Sequence, residues 1–165
     1  MSSGMYMKIE GPNVDGQSKA EGYENWINIE SFSLGATQPG RYTTGKEGAT
    51  KGICTPHDVM VTKETDSSTH MLWNRCFGGE HFKTVKIEVV ASVKNKLEPY
   101  FRVTLTDAIV SSISGGGAGG GENNMMETLS WNYADILVEY APKDNTGAMQ
   151  AFKPAGYNVQ TGKHY

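Results

Sequence analysis

Residues 100–114, YFRVTLTDAIVSSIS, alternate apolar and polar side chains through most of their length. Phe101, Val103, Leu105 and Ile109 form an apolar row, with Arg102, Thr104 and Thr106 opposite. A period of two marks a half-buried strand, because successive side chains of a strand leave opposite faces. The same pattern lies on both sides of this stretch. In residues 82–91, Val85, Ile87, Val89 and Ala91 oppose Lys86 and Glu88. In residues 128–140, Leu129, Trp131, Tyr133 and Leu137 oppose Ser130, Asn132 and Ala134. β-branched and aromatic residues dominate all three runs, as a pleated surface favours. The tract GGGAGGG at 115–121 reads as a flexible connector between the last two strands.

Further out, residues 5–9 form a short alternating run that stops at Gly11-Pro12. Residues 26–34 are less regular. Trp26, Asn28, Glu30, Phe32 and Leu34 share one face, and Ile27, Ile29, Ser31 and Ser33 the other. Both faces begin apolar and then change, which predicts a strand that touches two environments. Residues 59–63 and a stretch near 150–152 or 157–159 complete the strands. One helix stands out: Asp66, Ser67 or Ser68 supplies a cap, Met71, Leu72, Arg75 and Cys76 follow at helical spacing, and Gly78-Gly79 ends the run. Many strands plus one helix predict a mainly β fold, a β-barrel or sandwich. It forms one domain over 1–165, with an extended loop at 39–57 and the glycine linker at 115–121.

Fifteen Lys and Arg against 18 Asp and Glu give a net charge of -3, without the basic excess of a nucleic-acid-binding domain. Three Trp, eight Tyr and five Phe supply enough apolar surface to argue against disorder. Two cysteines cannot build a disulfide framework, and reduced thiols from cytoplasmic synthesis are the simpler reading. The opening MSSGMYMKIEG lacks a basic region followed by an apolar run, so no conventional secretory signal is expected. Apolar runs such as Val89-Val90-Ala91 are far too short to cross a bilayer, and the chain reads as soluble, without membrane insertion.

Several motifs invite a chemical reading. Gly40–Glu47, GRYTTGKE, matches a phosphate-binding loop until its last position, where Glu47 replaces the hydroxyl that holds magnesium; no helix follows. Gly115, Gly117 and Gly120 satisfy a dinucleotide fingerprint that any glycine tract would satisfy. Cys54 and His57, with Cys76 and His81, have a spacing that could close a tetrahedral zinc site, the basis of a zinc-hydrolase alternative. A small buried thiol already explains Cys76. Asp66, Ser67 and His70 are close in sequence, yet triads converge from separate elements, and helix capping accounts for the first two. No catalytic constellation emerges, no cofactor is implied, and the expected protein is not an enzyme.

The order of six segments resembles the Hcp family, the haemolysin-coregulated proteins that form the inner tube of type VI secretion systems. The resemblance runs through MYMKIEG at 5–11, WINIESFSLG at 26–35, VTKETDSS at 61–68, YFRVTLTDAIVSSIS at 100–114, ETLSWNY at 127–133 and residues 151–159. Cys54, Pro56 and His57 depart from the family's loop. The resemblance implies a β-barrel of two antiparallel sheets with one short flanking α-helix, assembled into a hexameric ring, with rings stacked into a tube that a contractile sheath drives out of the cell. Partners are then further copies of the chain, the sheath and spike proteins, and effector cargo carried in the lumen. Assembly in the cytoplasm is followed by export without a signal peptide. By position, residues 39–57 supply contacts within or between rings, and the mixed charges of Arg41, Tyr42, Lys46 and Glu47 suit that role. Ser31 and Ser33 are expected to line the lumen, because their face lacks the bulk of Phe32 and Leu34. The alternative is a secreted β-sandwich that binds carbohydrate through Trp26, Trp73 or Trp131.

Overall fold

The structure is a computed structural model that describes residues 4–42, 49–50, 52–120 and 125–165. Its strands are β1 (Gly4–Glu10), β2 (Ile27–Asn28), β3 (Ser31–Ser33), β4 (Ala36–Thr37), β5 (Arg41–Tyr42), β6 (Ala49–Thr50), β7 (Thr55–Pro56) and β8 (Val59–Glu64). After the helix α1 (Thr69–Gly78) follow β9 (Phe82–Val93), β10 (Lys96–Gly116), β11 (Met126–Tyr140), β12 (Lys153–Asn158) and β13 (Lys163–His164). The three strands expected from alternation form the centre, an antiparallel meander of β9, β10 and β11. Lys94 and Asn95, both with positive φ (49° and 63°), turn β9 into β10, a two-residue loop whose twist matches the strands it joins.

Along its edge away from β10, β11 serves two neighbours. Residues 126–131 pair with β8, and residues 135–140 pair with β12. β1 pairs with the other edge of β9. Residues 27–33 then link the two ends of the array, since β2 pairs with β1 and β3 with β8. At the crossing, the Ile29 N–H donates to the Met5 carbonyl (3.1 Å) and the Glu30 N–H to the Thr62 carbonyl (2.8 Å). The two environments expected for this stretch are therefore two different partner strands.

The mainly β fold with one short helix is as expected, but the barrel is left open. The wall is one nine-stranded sheet wrapped round the core, and the small pairs β4–β7 and β5–β6 stand apart from it. It is not a closed barrel, because no single strand carries a ladder from β1 to β8. Ile27 and Ile29 are buried beside β1, whereas Phe32 packs on the core beside β8. Side-chain parity changes between Ile29 and Phe32, so the chain must break its strand there.

A second parity change runs across the whole meander. Phe82 and Val85 on β9, Leu105 and Ala108 on β10, and Tyr133 and Ile136 on β11 all face the core, three residues apart instead of two. These positions are in register: Thr106 pairs with Thr84 and Asp135, and Ala108 with Phe82 and Tyr133. Between them Asp107 takes a left-handed φ of 53°. This transverse crease puts Ile109 opposite Asn132 and Leu137 opposite Thr104, off the core rows in which alternation placed them. Val110 and Ile136 take the core positions instead.

The helix covers the core through Leu72, wholly buried, with Met71 and Cys76 packed beside it. Ser68 is its N-cap residue but makes no side-chain cap bond. Its hydroxyl and its N–H (2.9 Å) both donate to the Asp66 carboxylate. Gly79, with φ 64°, ends the helix as expected, its N–H directed at the Arg75 and Cys76 carbonyls.

Candidate functional site

Two surfaces stand out. The first is the outward face of β3, β8, the start of β11 and the end of β10. Directly paired residues share a face, and Ser33 pairs with Met60, Met60 with Ser130, and Ser130 with Ser112. The next row is Ser31, Thr62, Thr128 and Ser114. The hydroxyls of Ser112 and Ser111 lie 2.5 and 2.8 Å from that of Ser130. Ser31 and Ser33 are both exposed, and Phe32 between them turns to the core.

The second surface is an arm and the cleft beneath it. The chain from Leu34 to His57 doubles back on itself, Ala36–Thr37 against Thr55–Pro56 and Arg41–Tyr42 against Ala49–Thr50. Arg41 and Tyr42 thus lie in the arm, while Lys46 and Glu47 are outside the described residues. Ala49–Thr50, which follow the phosphate-loop match, form a strand and not the helix such a loop needs. The arm is clamped at its base. The Tyr133 hydroxyl donates to the His57 carbonyl (2.7 Å), the His57 N–H donates to the Gly35 carbonyl (2.8 Å), and the His57 ring meets the Thr37 hydroxyl at 2.8 Å. Burial, the nearby Asp58 carboxylate and Cys54 push the Tyr133 phenol up to about 12. An open cleft of about 840 Å³ lies between the arm and the β11–β12 ladder, lined by Leu34, Ile53, Cys54, Tyr133, Ile136 and Tyr157 among others. Ile53 is 82% exposed at its mouth.

A buried polar cluster fixes the junction between β8 and the helix, and nothing in the alternation announced it. Lys63 is wholly buried on the core side of β8. Its ammonium donates to the Glu64 carbonyl (2.9 Å), Asp66 (3.1 Å) and Glu127 (3.0 Å). The Thr65 hydroxyl completes the Glu127 carboxylate at 3.3 Å. Asp66 is therefore engaged with Lys63 and Ser68, and the Ser67 hydroxyl donates to the Asp15 carbonyl (3.1 Å), so neither forms a triad with His70. Across the molecule, Glu88 accepts from Tyr23 (2.6 Å) and Arg102 (2.9 Å), which ties the segment before β2 to the sheet. Burial and Glu88 hold the Tyr23 phenol above its ordinary range.

Among the described residues no three His, Cys, Asp or Glu side chains converge as a metal site. His81 pairs with Asp107 at 3.0 Å, whereas the His57 ring meets the Thr37 hydroxyl at 2.8 Å. Trp131 is wholly buried, edge-on to Phe82, and offers no ring face to a sugar; Trp26 is half-buried, edge-on to Tyr23 with the Lys8 ammonium 5.7 Å from its ring centre, and Trp73 is half-buried beside Phe77. Among the described residues no helix is long and apolar enough to cross a membrane.

A mainly β wall with one capping helix and a projecting arm defines a class already suggested by the segment order. The family described as "Type VI secretion system effector, Hcp" matches residues 6–140. The chain belongs to the Hcp family of type VI secretion proteins. Among curated relatives, Protein hcp1 of Pseudomonas aeruginosa is 34% identical over 149 residues, covering 90% of this chain and 89% of that protein. A solved structure described as that of a type six secretion system protein superposes with a TM-score of 0.90 at 27% identity, covering 99% of this chain and 100% of the other. Hcp1 from Salmonella typhimurium shares the fold, with a TM-score of 0.77 at 23% identity and full coverage of both chains.

Proposed function

We propose that this protein is the non-enzymatic structural subunit of a type VI secretion inner tube. Six copies form a ring, rings stack, and the assembled tube leaves the cytoplasm when the sheath contracts, with spike proteins at its tip. Effector cargo rides in the lumen against Ser31 and Ser33. Arg41, Tyr42, Lys46 and Glu47 make contacts between copies.

The observation that carries this reading, beside family membership, is the arm. A clamped hairpin held off the body over an open apolar cleft leaves apolar surface that a single copy cannot cover. Head-to-tail contacts of such a surface close into a ring when the rotation permits, and a second surface allows stacking. The test is native mass by size-exclusion chromatography with light scattering, followed by imaging. A six-subunit mass and ring-shaped particles are expected. Deletion of residues 42–50 should leave a folded protein that fails to form rings or to stack them. A strict monomer across a wide concentration range, or unchanged assembly of the deletion, would overturn the proposal.

A further inference from the structure

Resting on the reading of the hydroxyl-rich face as the surface that meets cargo, we propose that its affinity sits in two thioethers, those of Met60 and Met126. They take apolar side chains from an extended stretch of a cargo protein, and the hydroxyls between them act as a tolerant spacer. Met60 stands in the row of Ser33, Ser130 and Ser112. Met126 stands two rows away beside Gly116, with the row of Ser31, Thr62, Thr128 and Ser114 between them. Among the described residues of these rows they are the large apolar side chains that remain exposed, Met60 at 48% and Met126 at 37%. A Cβ added at Gly116 would meet nothing within 4 Å, so a partner's side chain has room next to Met126.

The hydroxyls give a partner little to gain. The Ser130 hydroxyl already meets those of Ser111 and Ser112, Ser111 donates to Asp58 (2.6 Å), and the Thr62 and Thr128 hydroxyls lie 3.5 Å apart. An exposed hydroxyl also bonds water, and trading that bond for one to a partner shifts the balance only slightly. A thioether gives up no such bond. Covering it removes apolar area from water, which is favourable in proportion to the area covered. Its chain is unbranched and polarizable, and it fits partners of different shape. The spacing adds a geometric requirement. Met60 pairs with Ser130, and Met126 lies four residues from Ser130 on β11, roughly 13 Å along the strand. Residues i and i+4 of an extended segment share a face and have the same span.

The experiment uses assembled full-length protein and three uncharged fluorescent peptides of equal length, rich in Ser, Thr and Gln. One carries Leu at positions i and i+4, one carries Leu at i and i+3, and one carries none; binding is read by anisotropy. The i, i+4 peptide should bind about tenfold tighter than the leucine-free one. The i, i+3 peptide, whose leucines leave opposite faces, should fall between them. Met60→Thr and Met126→Thr should each weaken the i, i+4 peptide about threefold and leave the leucine-free peptide unchanged. Met60→Leu should keep the preference, because the contact is apolar. Met60→Gln serves if Met60→Thr fails to assemble. No leucine preference, equal affinity for the two leucine peptides, or a preference that survives both threonine variants overturns the proposal. If Ser33→Gln still weakens the peptides in that case, the cargo face stands and its affinity lies in the hydroxyls. If Ser33→Gln changes nothing as well, or no peptide binds, the cargo reading of the face falls with it.

Discussion

Lys63 has three N–H groups and three acceptors, in a place where water cannot substitute for any of them. A buried ion pair of this kind adds little net stability over an apolar replacement, but removing one partner leaves the other charge stranded. Lys63→Ala strands Glu127, itself only 3% exposed, and should cost about 3–5 kcal/mol. Lys63→Met combined with Glu127→Leu should recover most of that loss. Urea unfolding of the three proteins checks it, and a single variant within about 1 kcal/mol of the parent would show that the pair is not desolvated. Tyr133 gives a second prediction at this scale. Its phenol is raised to about 12 in the fold, above the ordinary value of 10.0. Below pH 10 both states hold the proton and its contribution is fully present. Between 10 and about 12 the unfolded chain releases the proton while the fold retains it, so stability falls as pH rises through that window. Because Tyr133 donates to the His57 carbonyl, its ionisation should also loosen the arm's base. Alkaline titration followed by tyrosinate absorbance and urea midpoints should show this decline, and Tyr133→Phe should reduce it by one phenol's share, since Tyr23 and Tyr165 are raised as well.

The crease across β9, β10 and β11 is a property of elements, and it depends on one backbone torsion. A left-handed φ costs an ordinary L-residue about 1–2 kcal/mol, with Asp among the more tolerant types and β-branched residues the least. Asp107→Val should therefore destabilise the fold by about 2 kcal/mol. Asp107→Gly should hold or slightly raise stability, since the exposed His81 pair it loses is worth about 0–1 kcal/mol. Thermal melts of both variants decide it, and equal losses would mean that the aspartate matters for its pair and not for its torsion. Strict alternation ran past this crease because a period of two contains no torsion. The warning in the sequence was chemical: continuing the apolar rows puts Asp107 after Leu105 and Asp135 after Tyr133, a carboxylate at a core position in both strands. The row Val59, Val61, Lys63 carries the same warning for the buried ammonium. Three central strands and the helix with its glycine stop follow directly from local pattern, whereas the exposure of Ser31 and Ser33 does not, because alternation puts them on the face of the buried Ile27 and Ile29. By contrast, the glycines and prolines of 39–57 mark an irregular segment, and only long-range contacts such as Tyr133 to His57 make it a clamped hairpin. The crossing at Ile29 and Glu30 is likewise set by which strand each residue meets.

At the scale of the whole molecule, the sheet spends its inner face on one core, and the arm spends nothing on it. Ile53 shows the separation. At 82% exposure it contributes little to the fold of one copy, and a polar replacement should stay within about 0.5 kcal/mol. Burying the same side chain against a neighbour is worth about 1.5–3 kcal/mol. In a head-to-tail ring every joint makes the same contact, so the loss is repeated at each joint and the closed ring cannot compensate at another. A loss near 2 kcal/mol lowers each joint's association constant about 30-fold. Ile53→Asp adds the cost of burying a carboxylate without a partner. It should therefore leave the melting temperature nearly unchanged while moving the native mass from ring to monomer at concentrations where the parent is fully assembled. Light scattering across a dilution series, with thermal melts on the same samples, separates the two effects. If Ile53→Asp still gives full-mass rings, the cleft mouth lies outside the joints, and the arm acts between stacked rings. In that event the variant should form rings but no tubes.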